Sequence, residues 1–190
     1  MRKPSEVTSD RALLIYTLHA LENFEGNVGF LSDVKLQQLL FLAELHMLGK
    51  SLKGLNWEFV RFPYGAFSKD VDNDLLLLRR KERLANFDLS EEAQAVIPLV
   101  EQIRNANETN EQIFEILQKI IETHGIQDTT AITQSVEAVE LCPSDSPEQK
   151  LPIRDISFHT IMVVPSRVEV SGALTVTPAQ VKRLNVAMGY

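Results

Sequence analysis

The chain has 190 residues, a formal net charge of −7 at pH 7 and a hydrophobic content of 44%. Its length fits one domain with a tail or a small second unit, since domains typically span about 100–200 residues. The hydrophobic content is sufficient for a core and excludes global disorder. The acidic balance argues against an extensive nucleic-acid footprint, which needs a basic face, and favours a basic protein partner.

The sequence shows no sign of secretion or of membrane insertion. Cys142 is the only cysteine, so no internal disulfide requires an oxidising compartment. The segment Met1–Asp10 contains basic residues, but the apolar stretch of a signal peptide does not follow them. Charged and amide side chains interrupt every leucine-rich stretch, so we expect no transmembrane helix. These features predict a cytoplasmic protein with no membrane partner.

Two helices are expected in the first fifty residues. Thr8–Asp10 offers N-cap oxygens for the first helix, and Glu25–Asn27 has the composition of the turn that ends it. Ser32 or Asp33 would cap the second helix. Residues 34–48 are apolar around most of the helix circumference, which requires other elements on several sides. We therefore predict that this second helix lies at the centre of the core.

A strand, a turn and a third helix follow. Asn56–Phe62 is rich in aromatic and β-branched residues, as strands are, and Pro63–Gly65 forces a turn. Ser68 would cap a helix with acidic residues in its first turn and basic residues at its end, a polarity that complements the helix dipole. Its expected core face consists of Val71, Leu75 and Leu78. Ala85–Leu89 is predicted to form a short strand beside Trp57–Phe62.

Helices are also expected between residues 90 and 141. Ser90 would begin the next helix, and Pro98 inside it should kink it. Thr109–Gln112 has the form of a capping box for a further helix, which Gly125 would end. Residues 128–141 resemble a weaker helix.

The composition changes after residue 141. Cys142–Pro152 has the composition of a linker, and Ile153–Val164 and Arg167–Thr177 are β-branched and predict two strands. Thr177, followed by proline and then by Gln180, predicts a capped helix start. A unit this small would be marginal alone, so it should pack on the main domain or on a partner.

These elements predict a mainly α protein with a small β element, an α+β fold. We expect a compact helical domain at residues 1–141, a linker at 142–152 and a β-rich C-terminal extension at 153–190. Removing the extension is expected to leave a folded core that binds its partner more weakly.

No catalytic constellation is visible in the sequence. The four histidines lack metal-ligand spacing, namely His19, His46, His124 and His159. The sequence has no paired cysteines, no glycine-rich phosphate loop and no G-x-S-x-G elbow. We therefore expect a protein that is not an enzyme, with no metal site and no cofactor.

Asp70, Asp72 and Asp74 are the acidic residues that need an interpretation of their own. Two-residue spacing spreads side chains around a helix, so we interpret these aspartates as a helix-capping and solvated face. The alternative is a hydrolase or nuclease site, which would need a divalent metal ion.

Two segments are candidates for partner contact. The first is the basic run Arg79–Arg83, which either compensates the dipole at a helix end or docks an acidic surface or a phosphate. The second is the turn that Tyr64 and Phe67 flank, where Gly65 is expected to have a positive φ. Its aromatic side chains either pin the hairpin to the central helix or are exposed as anchors for a partner.

At these residues the chain resembles a known family. Lys35–Glu44, with the sequence KLQQLLFLAE, resembles the K-L-x-K-L-L-Y-F-A helix of the Panacea, or SocA-like, antitoxin domain, which is often phage-associated. Tyr64–Ser68 resembles the Y-G-P-x-x turn of that family, and a leucine-rich helix follows in the same order. The resemblance covers about Leu13 to Val100. Ala66 stands where the family has proline, and residues 143–190 have no counterpart.

The resemblance implies a compact helical domain with a small, winged-helix-like strand pair. It also implies an antitoxin that neutralises a co-encoded toxin by direct contact, and some members act as adaptors to a protease. We expect the partner-binding residues to include the extension from Ile153 to Val176 and five side chains, namely Tyr64, Phe67, Arg79, Arg80 and Arg83. The rival hypothesis is a winged-helix regulator that places the Ser68–Arg83 helix on operator DNA. A homo-oligomer is a further candidate assembly.

Overall fold

The computed structural model describes residues 2–26, 28–143 and 146–190. The predicted fold class is confirmed, since the chain is mainly helical with short strands. The helices are α1 (Pro4–Glu22), α2 (Asp33–Gly49), α3 (Lys69–Arg80), α4 (Glu91–Gln94), α5 (Ile97–Arg104), α6 (Glu108–His124), α7 (Thr129–Glu137) and α8 (Pro178–Ala187). The strands are β1 (Leu52–Lys53), β2 (Phe59–Phe62), β3 (Gly65–Phe67), β4 (Leu84–Ala85), β5 (Asp88–Leu89), β6 (Glu140–Leu141), β7 (Leu151–Pro152), β8 (Ile161–Val163) and β9 (Gly172–Ala173).

Helix α2 is the central helix, as predicted. The Ser32 hydroxyl caps it by accepting a hydrogen bond from the Lys35 amide at 3.1 Å. Every residue from Lys35 to Glu44 is buried, and α2 contacts α6, α7, β1 and β3. The segment Lys35–Glu44, which resembles the helix of the antitoxin family, therefore lies entirely inside the core.

The three-stranded sheet has the order β3-β2-β8 and is antiparallel. Pro63 and Tyr64 form the turn between β2 and β3, and Gly65 has a φ of +101°, both as expected. A Cβ atom on Gly65 would lie 2.4 Å from the Oε1 atom of Gln38, so a side chain does not fit at this position. The hairpin therefore lies directly against α2.

The predicted partner of β2 is wrong. Ala85–Leu89 does not return beside β2; instead, β4 and β5 pair with each other as a small hairpin. Asn86 has a φ of +57° in its turn. The third strand of the sheet is β8, from the C-terminal extension. Strand propensity marks an extended segment, but it does not identify the neighbour with which that segment pairs.

Two predicted helix starts and one predicted kink also differ from the structure. Helix α1 begins after Lys3 with a proline at its first position, so Thr8–Asp10 lies inside the helix and is buried. Asn107 caps α6, which places Thr109 in its first turn. Pro98 is the second residue of α5, so the chain breaks into α4 and α5 instead of continuing as one kinked helix.

The boundaries around the predicted linker also shift. Helix α7 ends at Glu137, and β6 follows where the helix was expected to continue. Strand β7 pairs antiparallel with β6, so both ends of this loop are tied together. Helix α1 ends at Glu22, before the predicted turn. Asn27 of that turn and residues 144 and 145 of the linker lie outside the described residues.

The C-terminal extension contains less strand than its β-branched residues suggest. Within residues 153–164 and 167–177, the only strands are the short β8 and β9. Single 3₁₀ turns lie at Ile153–Asp155 and Pro165–Arg167. The start of α8 is as predicted, with reciprocal hydrogen bonds between Thr177 and Gln180.

The extension packs on the main domain, which is one of the two places the sequence suggested. Four of its side chains are buried in the same core cluster as α1 and α2, namely Ile153, Val163, Leu184 and Met188. Strand β9 pairs in parallel with β1, and α8 contacts α1 and α5. Removing residues 153–190 would expose that part of the core, which argues against the expectation of a folded truncated chain.

We expect Leu184→Ala to lower the free energy of unfolding by about 2–5 kcal/mol, the usual cost of a cavity at a buried leucine. Leu184 is 1% exposed, whereas Val186 on the same helix is 67% exposed. Val186→Ala is the matched control and should change stability by less than about 0.5 kcal/mol. Urea unfolding followed by circular dichroism measures both variants. Equal stability of the two would show that α8 is not part of the core.

Candidate partner-binding site

The buried guanidinium of Arg61 in β2 holds the sheet to the C-terminal extension. The Arg61 side chain is 4% exposed, and its Nη2 atom lies 2.7 Å from the Glu137 carboxylate of α7. Its Nε atom donates to the Ile153 carbonyl at 3.0 Å, and Nη1 donates to the carbonyls of Phe62 and Gly65. One side chain thus connects the hairpin, α7 and the extension.

The backbone of Arg61 continues this connection. Its N–H donates to the Thr160 carbonyl, and its carbonyl accepts from the His159 N–H, both at 2.8 Å. Two residues of the extension therefore face one residue of β2, which is the pattern of a β-bulge. The guanidinium carbon also lies 5.2 Å from the ring centre of Phe158. Residues 158–161 are consequently fixed beside the hairpin.

The side chains brought together here form a surface that we name the aromatic patch. It consists of Phe62, Tyr64, Phe67, His159 and Ile161. The Phe62 ring is its centre, with ring centroids of Phe67 at 4.8 Å, His159 at 5.3 Å and Tyr64 at 5.7 Å. These separations lie in the range of favourable aromatic pairs.

Much of the aromatic patch is accessible to a partner. Tyr64 is 50% exposed and Ile161 58%, while Phe62 and Phe67 are half-buried. The turn is pinned to α2 by Gln38, whose side-chain amide forms hydrogen bonds to the N–H and C=O of Ala66, both at 2.9 Å. The polar side chain of Gln38 therefore holds the turn to α2, and Tyr64 is free to contact a partner.

The structure brings Tyr64 and Phe67 together with part of the predicted contact segment 153–176. Sequence reasoning did not single out Phe62, Phe158, His159 or Ile161. Phe158 and His159 stand next to each other in the sequence within a β-branched segment. That local aromatic density was the available signal, but nothing in the sequence placed it opposite the hairpin.

The predicted arginines lie elsewhere. Helix α3 separates them from Phe67 by about 17 Å, given a rise of 1.5 Å per residue over its length. Arg79 pairs with Asp33 at 3.0 Å and stacks on Phe87, with 5.2 Å between the guanidinium carbon and the ring centre. Arg83 donates to the Ala187 carbonyl at 3.1 Å and so holds the end of α8. Arg80 is exposed.

The interpretation of the three aspartates of α3 as a solvated face is wrong for one of them. Asp72 is exposed, and Asp70 lies at the surface with its carboxylate 3.4 Å from the Arg2 guanidinium. Asp74 is 1% exposed, and its oxygens lie 2.7 Å from Arg2 and 2.8 Å from Arg11. Asp74 therefore belongs to a buried ion network.

This ion network joins α1 to α3 and to the segment before β2. Trp57 donates its indole N–H to Asp74 at 3.0 Å. Asp10 accepts from Arg2 at 2.9 Å and from the amide and side chain of Asn56 at 3.1 and 2.9 Å. Because these donors already occupy the carboxylates, we interpret the network as one that stabilises the fold. Across residues 2–26, 28–143 and 146–190, no group of three or more His, Cys, Asp or Glu side chains could hold a metal ion.

Two buried carboxyl groups have raised pKa values, namely Asp10 in the network and Glu44 beside it. Burial raises the pKa of Asp10 to about 7, and the hydrogen bonds from Arg2 and Asn56 oppose that rise. Glu44 of α2 is 1% exposed, and neither of its oxygens has a hydrogen-bond partner among the described residues. Burial raises its pKa well above the usual range, and the neighbouring Asp10 adds to the rise.

We expect the free energy of unfolding to fall as the pH rises above the usual range of a glutamate carboxyl, and we expect Glu44→Gln to reduce this fall. A carboxyl group with a raised folded-state pKa contributes stability at low pH, and this contribution is lost as the pH rises through that pKa. Each unit of the rise corresponds to about 1.4 kcal/mol. Urea unfolding of both proteins at several pH values gives the slopes. Identical slopes for the variant and the parent chain would show that Glu44 ionises as freely in the folded state as in the unfolded state.

Comparison of the chain with models of protein families, with curated proteins and with solved structures found no match. None of the helices among the described residues has the length and apolar character needed to span a bilayer. The resemblance to the antitoxin family therefore stays an expectation from the sequence.

Proposed function

We propose that this protein is an antitoxin-like neutraliser that binds a cognate toxin directly through the aromatic patch. The single observation that supports the proposal is the patch itself, in which Tyr64 and Ile161 are each at least half exposed on a fixed base. Aromatic side chains dominate the energetics of protein interfaces. A cluster of exposed apolar side chains on a protein surface commonly marks a contact site.

The patch is ordered before any partner arrives. Phe62 holds three neighbouring rings, and Arg61 fixes the hairpin and the extension from below. Binding pays less conformational entropy when the contact side chains are already held. A rigid patch of this kind favours tight contact with one specific partner.

The composition of the patch agrees with the resemblance. Tyr64 and Phe67 come from the turn that resembles the antitoxin family, while His159 and Ile161 come from the extension, which has no counterpart there. The patch thus combines a family-like turn with residues particular to this chain. Variable toxins would require such particular residues. The net charge of −7 further favours a basic partner.

The alternative of a winged-helix DNA-binding regulator receives less support. Two of the three arginines in the basic run at the end of α3, Arg79 and Arg83, are engaged with Asp33 and with the carbonyl of Ala187. A phosphate-binding surface needs cations that are available to the phosphates.

We expect Tyr64→Ala and Phe67→Ala each to weaken binding to the product of the neighbouring open reading frame by about tenfold or more, since hot-spot truncations cost about 2 kcal/mol. Calorimetry measures the affinity, and co-expression measures rescue of growth. The matched control is Ile126→Ala, because Ile126 is 59% exposed outside the patch.

Unchanged neutralisation by both patch variants would contradict the proposal. Steep salt-dependent binding of the parent chain to duplex DNA, with no binding to the neighbouring product, would favour the regulator instead.

A further inference from the structure

The two edges of the three-stranded sheet differ. At the β3 edge, the Gln38 side chain forms hydrogen bonds to both backbone groups of Ala66, as a neighbouring strand would. Beyond it, the Gln37 side chain accepts from the Ser68 N–H at 2.6 Å. Two side chains of α2 therefore close this edge against a further strand.

At the β8 edge, no further strand of the described residues pairs with the sheet. The Arg61 N–H donates to Thr160, so the backbone groups of Arg61 face β8, and those of the preceding Val60 face β3. Ile161 lies opposite Val60 in the antiparallel register. Residues opposite each other in such a pair alternate between bonded and non-bonded, so the N–H and C=O of Ile161 face away from β2.

The described residues place no hydrogen-bond partner on that outward side of Ile161. The Ile161 side chain is 58% exposed and adjoins the aromatic patch. Natural proteins usually protect the open edge of a sheet, because its unpaired backbone groups form a template for another strand. Here an unpaired donor, an unpaired acceptor and an exposed apolar side chain occur on the same residue.

We propose that the β8 edge receives an extended segment of the partner, which adds a fourth strand to the sheet. This inference rests on the proposed function, and it specifies which element of the partner is recognised. Strand addition gains affinity from backbone hydrogen bonds and specificity from side chains at alternate positions. The residue paired with Ile161 would bond to both of its backbone groups, while residues of the added strand that face the rings would pack on the aromatic patch.

The charge of the chain favours a partner over a second copy as the occupant of this edge. Each copy carries a formal charge of −7, so self-pairing along β8 brings two acidic proteins together. A basic partner meets no such repulsion. The added strand is therefore assigned to the basic partner.

The test compares Ile161→Pro with Ile161→Val in calorimetric binding to the product of the neighbouring open reading frame. Proline removes the outward N–H and is tolerated on edge strands, whereas valine keeps the N–H and the β-branched side chain. We expect Ile161→Pro to bind about tenfold more weakly, the loss expected for one or two backbone hydrogen bonds. Ile161→Val should bind within about twofold of the parent chain, because it retains the backbone donor.

Amide hydrogen exchange of the parent chain provides a measurement that does not depend on the folding of a variant. The Ile161 amide should exchange rapidly in the free protein and at least about tenfold more slowly in the complex. Rapid exchange in both states, or equal affinity of the proline and valine variants, would overturn the strand addition. If Tyr64→Ala then still weakens binding, the proposed function stands without it.

Two further outcomes would also overturn the inference. If the parent chain does not bind the neighbouring product, both the proposed function and the strand addition fail. If light scattering shows a dimer of the free protein and the Ile161 amide is already protected in it, a second copy occupies the edge instead.

Discussion

The arrangement of the candidate site depends on the burial of one cation, the guanidinium of Arg61. A buried charge is costly unless it is paired and hydrogen-bonded, and a guanidinium presents five donors in a fixed plane. Arg61 forms four hydrogen bonds, to Glu137, to the carbonyls of Phe62 and Gly65 in its own hairpin, and to the carbonyl of Ile153. Because these acceptors belong to segments far apart in the sequence, their positions are coupled. The aromatic patch lies on the surface that this coupling creates.

A second buried ion network joins α1, α3 and the segment before β2. Arg2 lies between Asp10 and Asp74, and Trp57 and Arg11 complete the coordination of Asp74. Breaking a buried ion pair by removing one partner usually costs about 3–5 kcal/mol, so such a network holds α1 and α3 in one arrangement. Strand β2 begins two residues after Trp57. The orientation of α1 and α3 is therefore transmitted to the sheet that carries the patch.

Much of the fold could be predicted from local signals in the sequence. Ser32, Ser68 and Thr177 cap the helices they were expected to cap, because capping is decided within four residues. Long-range choices were not accessible in this way. The β-branched extension gave no indication that β8 would pair with β2 in place of residues 85–89. Burial of Asp74 depends on Arg2, which lies 72 residues earlier. Tyr64 and Phe67 of the patch could be predicted from the sequence. The rest of the patch could not, because it depends on that strand pairing.

The most direct test of the account is the Arg61→Lys variant, observed by nuclear magnetic resonance of the aromatic rings. Lysine keeps the charge but loses the planar fork that reaches several acceptors at once. The account predicts that the ring signals of Phe62, Phe67 and Phe158 shift or broaden, while Phe114, buried against Tyr16, keeps its signals. Patch rings with the shifts of the parent chain would contradict the account, because the aromatic patch would then be organised without Arg61.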